Sequence, residues 1–349
     1  MIGIVRFTQH RHSLRLADGW ERMRTLCYSA SVADGKREFF IFNGAKGAYM
    51  TISHRAAQPQ DLERLRPILD QEFILAKGRK TSIADRYPAT FCPANAGNIF
   101  LVEENGEIVS TFLCKRFSWQ QANKKWQGAM VGAVYTDPKR RAEGIGSALL
   151  QWGMQTLKDT GVEFAVLWTT QAEFYERMGW IAADVGVLGN SNSGTGIDPV
   201  MDSIKILPLP MSNNREIDDI RLQSLDDYVS RQVLDYSQQP IPAQSVDVLF
   251  WSDDGESSSY ALLGQVDAAG ILYEMVGSEE GFADLWEMMR RRHKKIVIND
   301  GTHSDSYRWL SKNTDIVWED KKLAMWLPLS ADLNMAAISQ WYIPYFDRI

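Results

Sequence analysis

The stretch TDPKRRAEGIGSALLQWG, residues 136–153, decides the fold. Before it, GAMVGAVY (128–135) is mostly apolar, the pattern of a central strand buried on both faces. From Leu150 near its end, Met154 and Leu157 follow at helical spacing, and Gly161 suits the end of that helix. Between strand and helix, Arg141, Gly144 and Gly146 stand in an Arg-x-x-Gly-x-Gly spacing, with Ser147 next. Small residues let backbone N–H groups approach an anion, and the first helical turn adds unpaired donors and its dipole. The segment therefore predicts a strand, a phosphate-cradling turn and a helix. Two rival phosphate motifs fail on spacing. A P-loop requires Lys-Ser/Thr after its second glycine, where Ser147-Ala148 stand; a dinucleotide fingerprint requires glycine three positions beyond Gly146, where Leu149 stands.

Working outward, NIFLVEENGEIVSTFLCKRF (98–117) predicts a hairpin turning at Glu104-Asn105-Gly106. Phe164–Trp168 reads as a second buried strand, Ala172–Met178 as a short helix stopped at Gly179, and Trp180–Val187 as a strand. GNSNSGTG (189–196) has the composition of a flexible loop or linker. Met50 precedes TISHRAAQPQDLERLRPIL, which opens a domain with a strand, a turn at Pro59 and a helix carrying Leu62, Leu65 and Leu69 on one face. Residues 1–49 lack a core pattern and read as an appendage or a mis-called start. The second half repeats the order: a hairpin (246–265), a strand (270–277), a helix (278–293), a strand (294–300), a helix (304–312) and two short strands ending near Leu329. A degenerate internal duplication follows. The expected division is an extension (1–49), a first domain (50–188), a linker with a connecting strand (189–205) and a second domain (206–349). The tail SQWYIPYFDRI (339–349) is aromatic enough to dock on the body rather than fray.

Taken together, the buried strand, Thr136-Asp137-Pro138, the basic Lys139-Arg140-Arg141, the glycines and the following helix resemble the acyl-CoA loop of the GNAT superfamily of N-acyltransferases. The resemblance covers about residues 50–187, and the second half shares only the order of elements. It implies an α/β fold of two GNAT-like domains in tandem, each a mixed, mostly antiparallel sheet flanked by helices. It also implies acetyl-CoA as acyl donor, with the main chain of Val134, Tyr135 and Thr136 along the pantetheine arm. The amides of Arg141, Ala142, Glu143, Gly144, Ile145, Gly146 and Ser147 would hold the pyrophosphate. Many relatives have glycine where Ala142 stands, a substitution that matters only if that residue needs positive φ. LWTTQAEFYERMGW (167–180) resembles the family's second motif, and Tyr175 takes the place of the tyrosine that protonates or hydrogen-bonds the departing CoA thiolate. The plainer reading of Tyr175 is a core residue beside Phe174. No carboxylate on the central strand offers a general base. In the second half, Glu279 and Glu280 stand where a pyrophosphate would sit, which suits the helix dipole but repels phosphate, so that half is expected to bind no CoA.

Composition bounds the rest. The 349 residues, 45% apolar and 23% charged, suffice for two ordinary globular domains. No apolar run approaches the length of a membrane helix. Three scattered cysteines (Cys27, Cys92, Cys114) point to reduced thiols in the cytoplasm, and neither they nor the five histidines have metal-ligand spacing, so no metal is expected. The net charge of −6 argues against nucleic acid as a partner. It divides into +4 over residues 1–49 and −10 over the remainder, a balance that steers cationic amines. The expected activity is acetyl transfer from acetyl-CoA to an amine of a small molecule or peptide by direct attack in a ternary complex. A CoA-binding sensor without turnover and an interaction scaffold are the alternatives.

Overall fold

The computed structural model describes residues 30–33, 36–43, 48–121, 123–192, 194–197, 201–240, 242–253 and 255–349. Residues 1–29, with Cys27, lie outside them. The first half contains β1 (Ala30–Ala33), β2 (Lys36–Asn43), β3 (Ala48–Ala56), α1 (Asp61–Leu69), α2 (Ile83–Arg86), β4 (Phe100–Glu104), β5 (Glu107–Gln121), β6 (Lys124–Thr136), α3 (Ile145–Asp159), β7 (Phe164–Trp168), α4 (Ala172–Glu176) and β8 (Ile181–Ala182). β9 (Gly186–Ser191) ends the first half, and the second contains β10 (Ile204–Pro208), α5 (Arg215–Ser224), β11 (Asp227–Ser230), β12 (Ser245–Asp253), β13 (Glu256–Val266), β14 (Ala269–Val276), α6 (Glu279–Arg292), β15 (Lys295–Gly301), α7 (Asp305–Asn313), β16 (Val317–Asp320) and β17 (Ala324–Pro328). The expected hairpin turns at Asn105 and Gly106, both at positive φ (52° and 85°), as a two-residue turn between twisted strands requires.

Among the described residues these strands make two sheets, one in the order β1-β2-β3-β4-β5-β6-β7-β17-β8 with β11 beside β5, the other β10-β12-β13-β14-β15-β9-β16. Both are mixed: β6 runs parallel to β7 and β14 parallel to β15, while the remaining pairs are antiparallel. Each parallel pair is joined by a crossover helix, α3 or α6, that buries Leu150, Met154 and Leu157, or Phe282, Leu285 and Met289, against its sheet.

Sheet membership departs from the sequence order in three places. Ala30–Ala33 and Lys36–Asn43, expected in an appendage, extend the first sheet through β2 pairing on β3. Residues 189–191, expected in a loop, belong to β9, which lies between β15 and β16 in the second sheet. A Cβ on Gly189 would stand 2.8 Å from ring and methyl atoms of Trp318 and Ile316, so the loop-like composition here answers to a close crossing. Finally, the halves exchange strands. β9 leaves the first half for the second sheet, and β17 returns from the second half to pair with β7 and β8. Trp326 of β17 is buried in a cluster with Phe117, Phe164 and Trp341.

Candidate active site

The site begins where β6 and β7 part. Their parallel register ends at Met130↔Val166, while β6 continues along β5 to Thr136. Val131–Thr136 therefore pair on the β5 side only and turn their other main-chain edge to a wedge-shaped gap. A bulge lies within this segment: Leu113 faces Gly132, Thr111 faces Tyr135, and Ala133 has φ +46°. The hydroxyl of Ser110 donates to Tyr135 O at 2.7 Å and lies 3.0 Å from Thr136 Oγ1, fixing the end of the strand.

Beyond Thr136 the loop is held by side chains. Asp137 accepts from the Lys139 amide at 2.9 Å, and Arg140 pairs with Glu143 at 2.8 Å and with Glu104. Arg141 Nε donates to Thr136 O at 3.1 Å, and its terminal nitrogen reaches Glu72 at 2.9 Å. Ala142 and Gly144 take positive φ, +66° and +80°, turning successive amides inward before α3. No side chain caps the start of α3, so the first-turn amides Ile145, Gly146 and Ser147 keep their donors for an anion. Gly146 is glycine for a second reason, since a Cβ there would lie 2.8 Å from Thr136 Oγ1. All ten expected cofactor residues, from Val134 to Ser147, thus lie on one strand end, one loop and one helix start.

Tyr175 lies on α4 in the same apolar cluster as Val134 and Ile145. It is 8% exposed, flanked edge-on by Phe174 at 4.9 Å and Trp180 at 5.9 Å. Burial pushes its phenol up to about 12, so it holds its proton throughout the neutral range. The hydroxyl takes no hydrogen bond among the described residues. Tyr135, raised by burial and by the neighbouring Asp137 and Glu72, is a protonated phenol of the same kind.

Sequence reasoning did not place the chain's last residues here. On the sheet face opposite α3, Ile349 and Trp168 pack against the cluster of Phe164, Trp326 and Trp341, and the Ile349 carbonyl oxygen lies 3.2 Å from where a Gly132 Cβ would stand. Arg348 lies 4.6 Å over the Trp168 ring at the end of β7. The tail is anchored behind them. Asp347 takes two hydrogen bonds from Arg231, at 2.7 and 2.9 Å, Arg231 also binds Glu274 at 2.8 Å, and all three are buried. Mutual pairing lowers Asp347 and raises Arg231 despite their desolvation. Aromatic density in residues 341–346 was the signal for docking, but sequence order gave no sign of where.

The second half lacks this arrangement. β14 and β15 also part, after Leu272↔Ile298, but Tyr345 stacks on Tyr273 at 5.7 Å and Phe346 packs beside it. At the start of α6 the Ser278 hydroxyl accepts the Gly281 amide at 3.1 Å, and Glu279 and Glu280 occupy the first turn. That helix end already has its acceptor and its negative charge.

Comparison with known proteins agrees with this geometry. Residues 55–183 match the family model described as the Acetyltransferase (GNAT) domain. No curated protein sequence matches the chain. Among solved structures, a GCN5-related N-acetyltransferase from Anabaena variabilis superposes with TM-score 0.63 at 14% identity, over 80% of this chain and 73% of that one. A probable N-acyltransferase from Enterococcus faecalis gives 0.64 at 15% identity, over 80% and 73%. Eis1 from Mycobacterium abscessus gives 0.54 at 14% identity, over 80% and 74%. At such identities the superpositions speak for the fold. The chain is a mixed α/β protein of two GNAT-like domains in tandem, and its residues 55–183 carry the match to the GNAT acetyltransferase domain.

Proposed function

We propose that the first half transfers the acetyl group of acetyl-CoA to an amine by direct attack in a ternary complex. The observation that carries the proposal is the free edge of β6 leading without interruption into the uncapped start of α3. The edge offers main-chain partners to a pantetheine arm, and the loop offers a nest of amides to its pyrophosphate. A donor held this way brings its thioester into the gap, where a main-chain N–H near Val134 stabilises the oxyanion as the amine attacks. The carbon–nitrogen bond forms, the carbon–sulfur bond breaks, the thiolate leaves, and the proton shed by the nitrogen passes to water, so that the products are an amide, a thiolate and a released proton. Tyr175, protonated and unpaired, donates a hydrogen bond to that thiolate. A phenol near 12 lies above a thiol's ordinary value, so stabilisation by the hydrogen bond outweighs full proton transfer. The second half shapes the acceptor side through its tail and binds no CoA.

Calorimetric titration of acetyl-CoA into the full chain tests this reading. One site per chain is expected, lost in Gly146→Trp, where the side chain would fill the turn against Thr136. Two sites would make the second half a working donor domain. No binding would leave a scaffold without acyl-transfer function.

A further inference from the structure

Two cationic side chains around the tail, Arg348 and Lys321, make no ion pair among the described residues, and Arg348 stands at the end of β7, beside its gap with β6. The guanidinium of Arg348 is stacked among Trp168, Tyr342 and Tyr345, at 4.6, 5.3 and 5.5 Å from their ring centres. Its Nε donates to Ile343 O at 3.0 Å, and its own carbonyl accepts from Gln238 at 2.7 Å, so the side chain is held at root and middle. Its two terminal nitrogens take no hydrogen bond or ion pair among the described residues. Lys321 stands nearby, 5.7 Å from the ring centre of Tyr345, donating to Asn299 Oδ1 at 3.2 Å. Its proton affinity is lowered by burial and by the nearby charge of Arg348, with the Asp184 carboxylate opposing them.

The neighbouring acids are already engaged. Asp184 accepts the amides of Gly186, Leu323 and Ala324. Asp300 binds the Ser306 hydroxyl and the Gly301 amide and is itself raised to about 6 by burial. Asp347 and Glu274 belong to Arg231. Arginines held on aromatic rings with free forked donors suit a planar, two-oxygen anion.

We infer that Arg348 and Lys321 bind a carboxylate on the acceptor, which makes the substrate class of the proposed transfer an amine that also carries a carboxylate, an amino acid or a peptide end. The inference rests on the acyltransferase reading for its chemistry, though not for the anion site itself. The donor is held from the loop at α3, whose side of the sheet carries Val134 and Tyr175. The acceptor then approaches from the opposite face, where Arg348 covers Trp168 and Ile349 lies against Gly132. A carboxylate gripped there places a neighbouring amine toward the gap. Arg348 and Lys321 thus set which amines are accepted, whereas the acidic overall balance of the chain only steers encounter.

The test uses product-like probes that bind without turnover. N-acetyl derivatives of the proteinogenic amino acids, and the matching N-acetyl carboxamides, are titrated into the full chain by calorimetry, with acetyl-CoA titrated into the same samples. At least one acid is expected to bind about 10–100-fold more tightly than its amide. Arg348→Gln should abolish that preference, Lys321→Gln should reduce it, and Arg348→Lys should restore part of it, with acetyl-CoA binding retained in each. Equal binding of acids and amides, no binding by any acid, or a preference unchanged in both glutamine variants overturns the inference. Failure of acetyl-CoA to bind while the acid preference persists overturns the acyltransferase reading alone.

Discussion

At Ala142 the chain carries a methyl group on a backbone that glycine fits better, at φ +66° within the amide nest. The left-handed region costs a residue with a Cβ about 1–2 kcal/mol, and the added freedom of glycine in the unfolded chain returns a part of that. Ala142→Gly is therefore expected to leave the fold intact and to tighten acetyl-CoA binding by up to about tenfold, read by calorimetry. A weaker site would show that the strained loop is the one the donor requires. Tyr175 has a different part. Tyr175→Phe keeps the ring between Phe174 and Trp180 and removes only the hydroxyl, so stability should hold while kcat falls by about 10²-fold with little change in KM. An unchanged kcat would reduce Tyr175 to packing. The ten loop and strand residues proposed to hold the donor could be named from sequence because they lie in nearly contiguous positions, where spacing alone brings amides together. Arg348 and Lys321 were not, since their partners Trp168 and Asn299 stand far from them along the chain.

Most elements announced themselves by period or by turn chemistry, and the crossover helices and buried strands fall within a few residues of expectation. Apart from β1 and β2, which read as an appendage and yet extend the first sheet from β3, the failures occurred where a strand's neighbours come from the other half. β9 reads as a loop because Gly189 answers to Trp318 across the sheet rather than to its own flanks. β17 reads as a late strand of the second half, and nothing local says that Trp326 fills the core around Phe164. Trp326→Ala is accordingly expected to destabilise the first sheet, by about 3–5 kcal/mol, although the substituted residue lies beyond residue 300. Acetyl-CoA binding should weaken alongside the loss of stability, because β17 supports β7 at the edge of the gap. A variant that unfolds normally and binds normally would mean that β17 is dispensable to that core.

On the scale of the whole molecule, each sheet is completed by a strand of the other half. Three further ties cross between halves: β11 on β5, the buried ion pair of Lys115 with Asp235 at 2.6 Å, and Arg86 donating to the carbonyls of Gln239 and Ala243. Two domains joined this way should unfold together, giving one calorimetric transition whose midpoint moves as a unit when acetyl-CoA is added. Two separated transitions, only one of them shifted, would show that the exchange does not couple the halves. The same exchange sets the order of events on the ribosome. When residues 50–188 have emerged, β7 still lacks the neighbour that it will have in the finished sheet, and it must wait for some 140 further residues to be added before β17 arrives. The first half, although read first, can be finished only after β17 of the second half has been added.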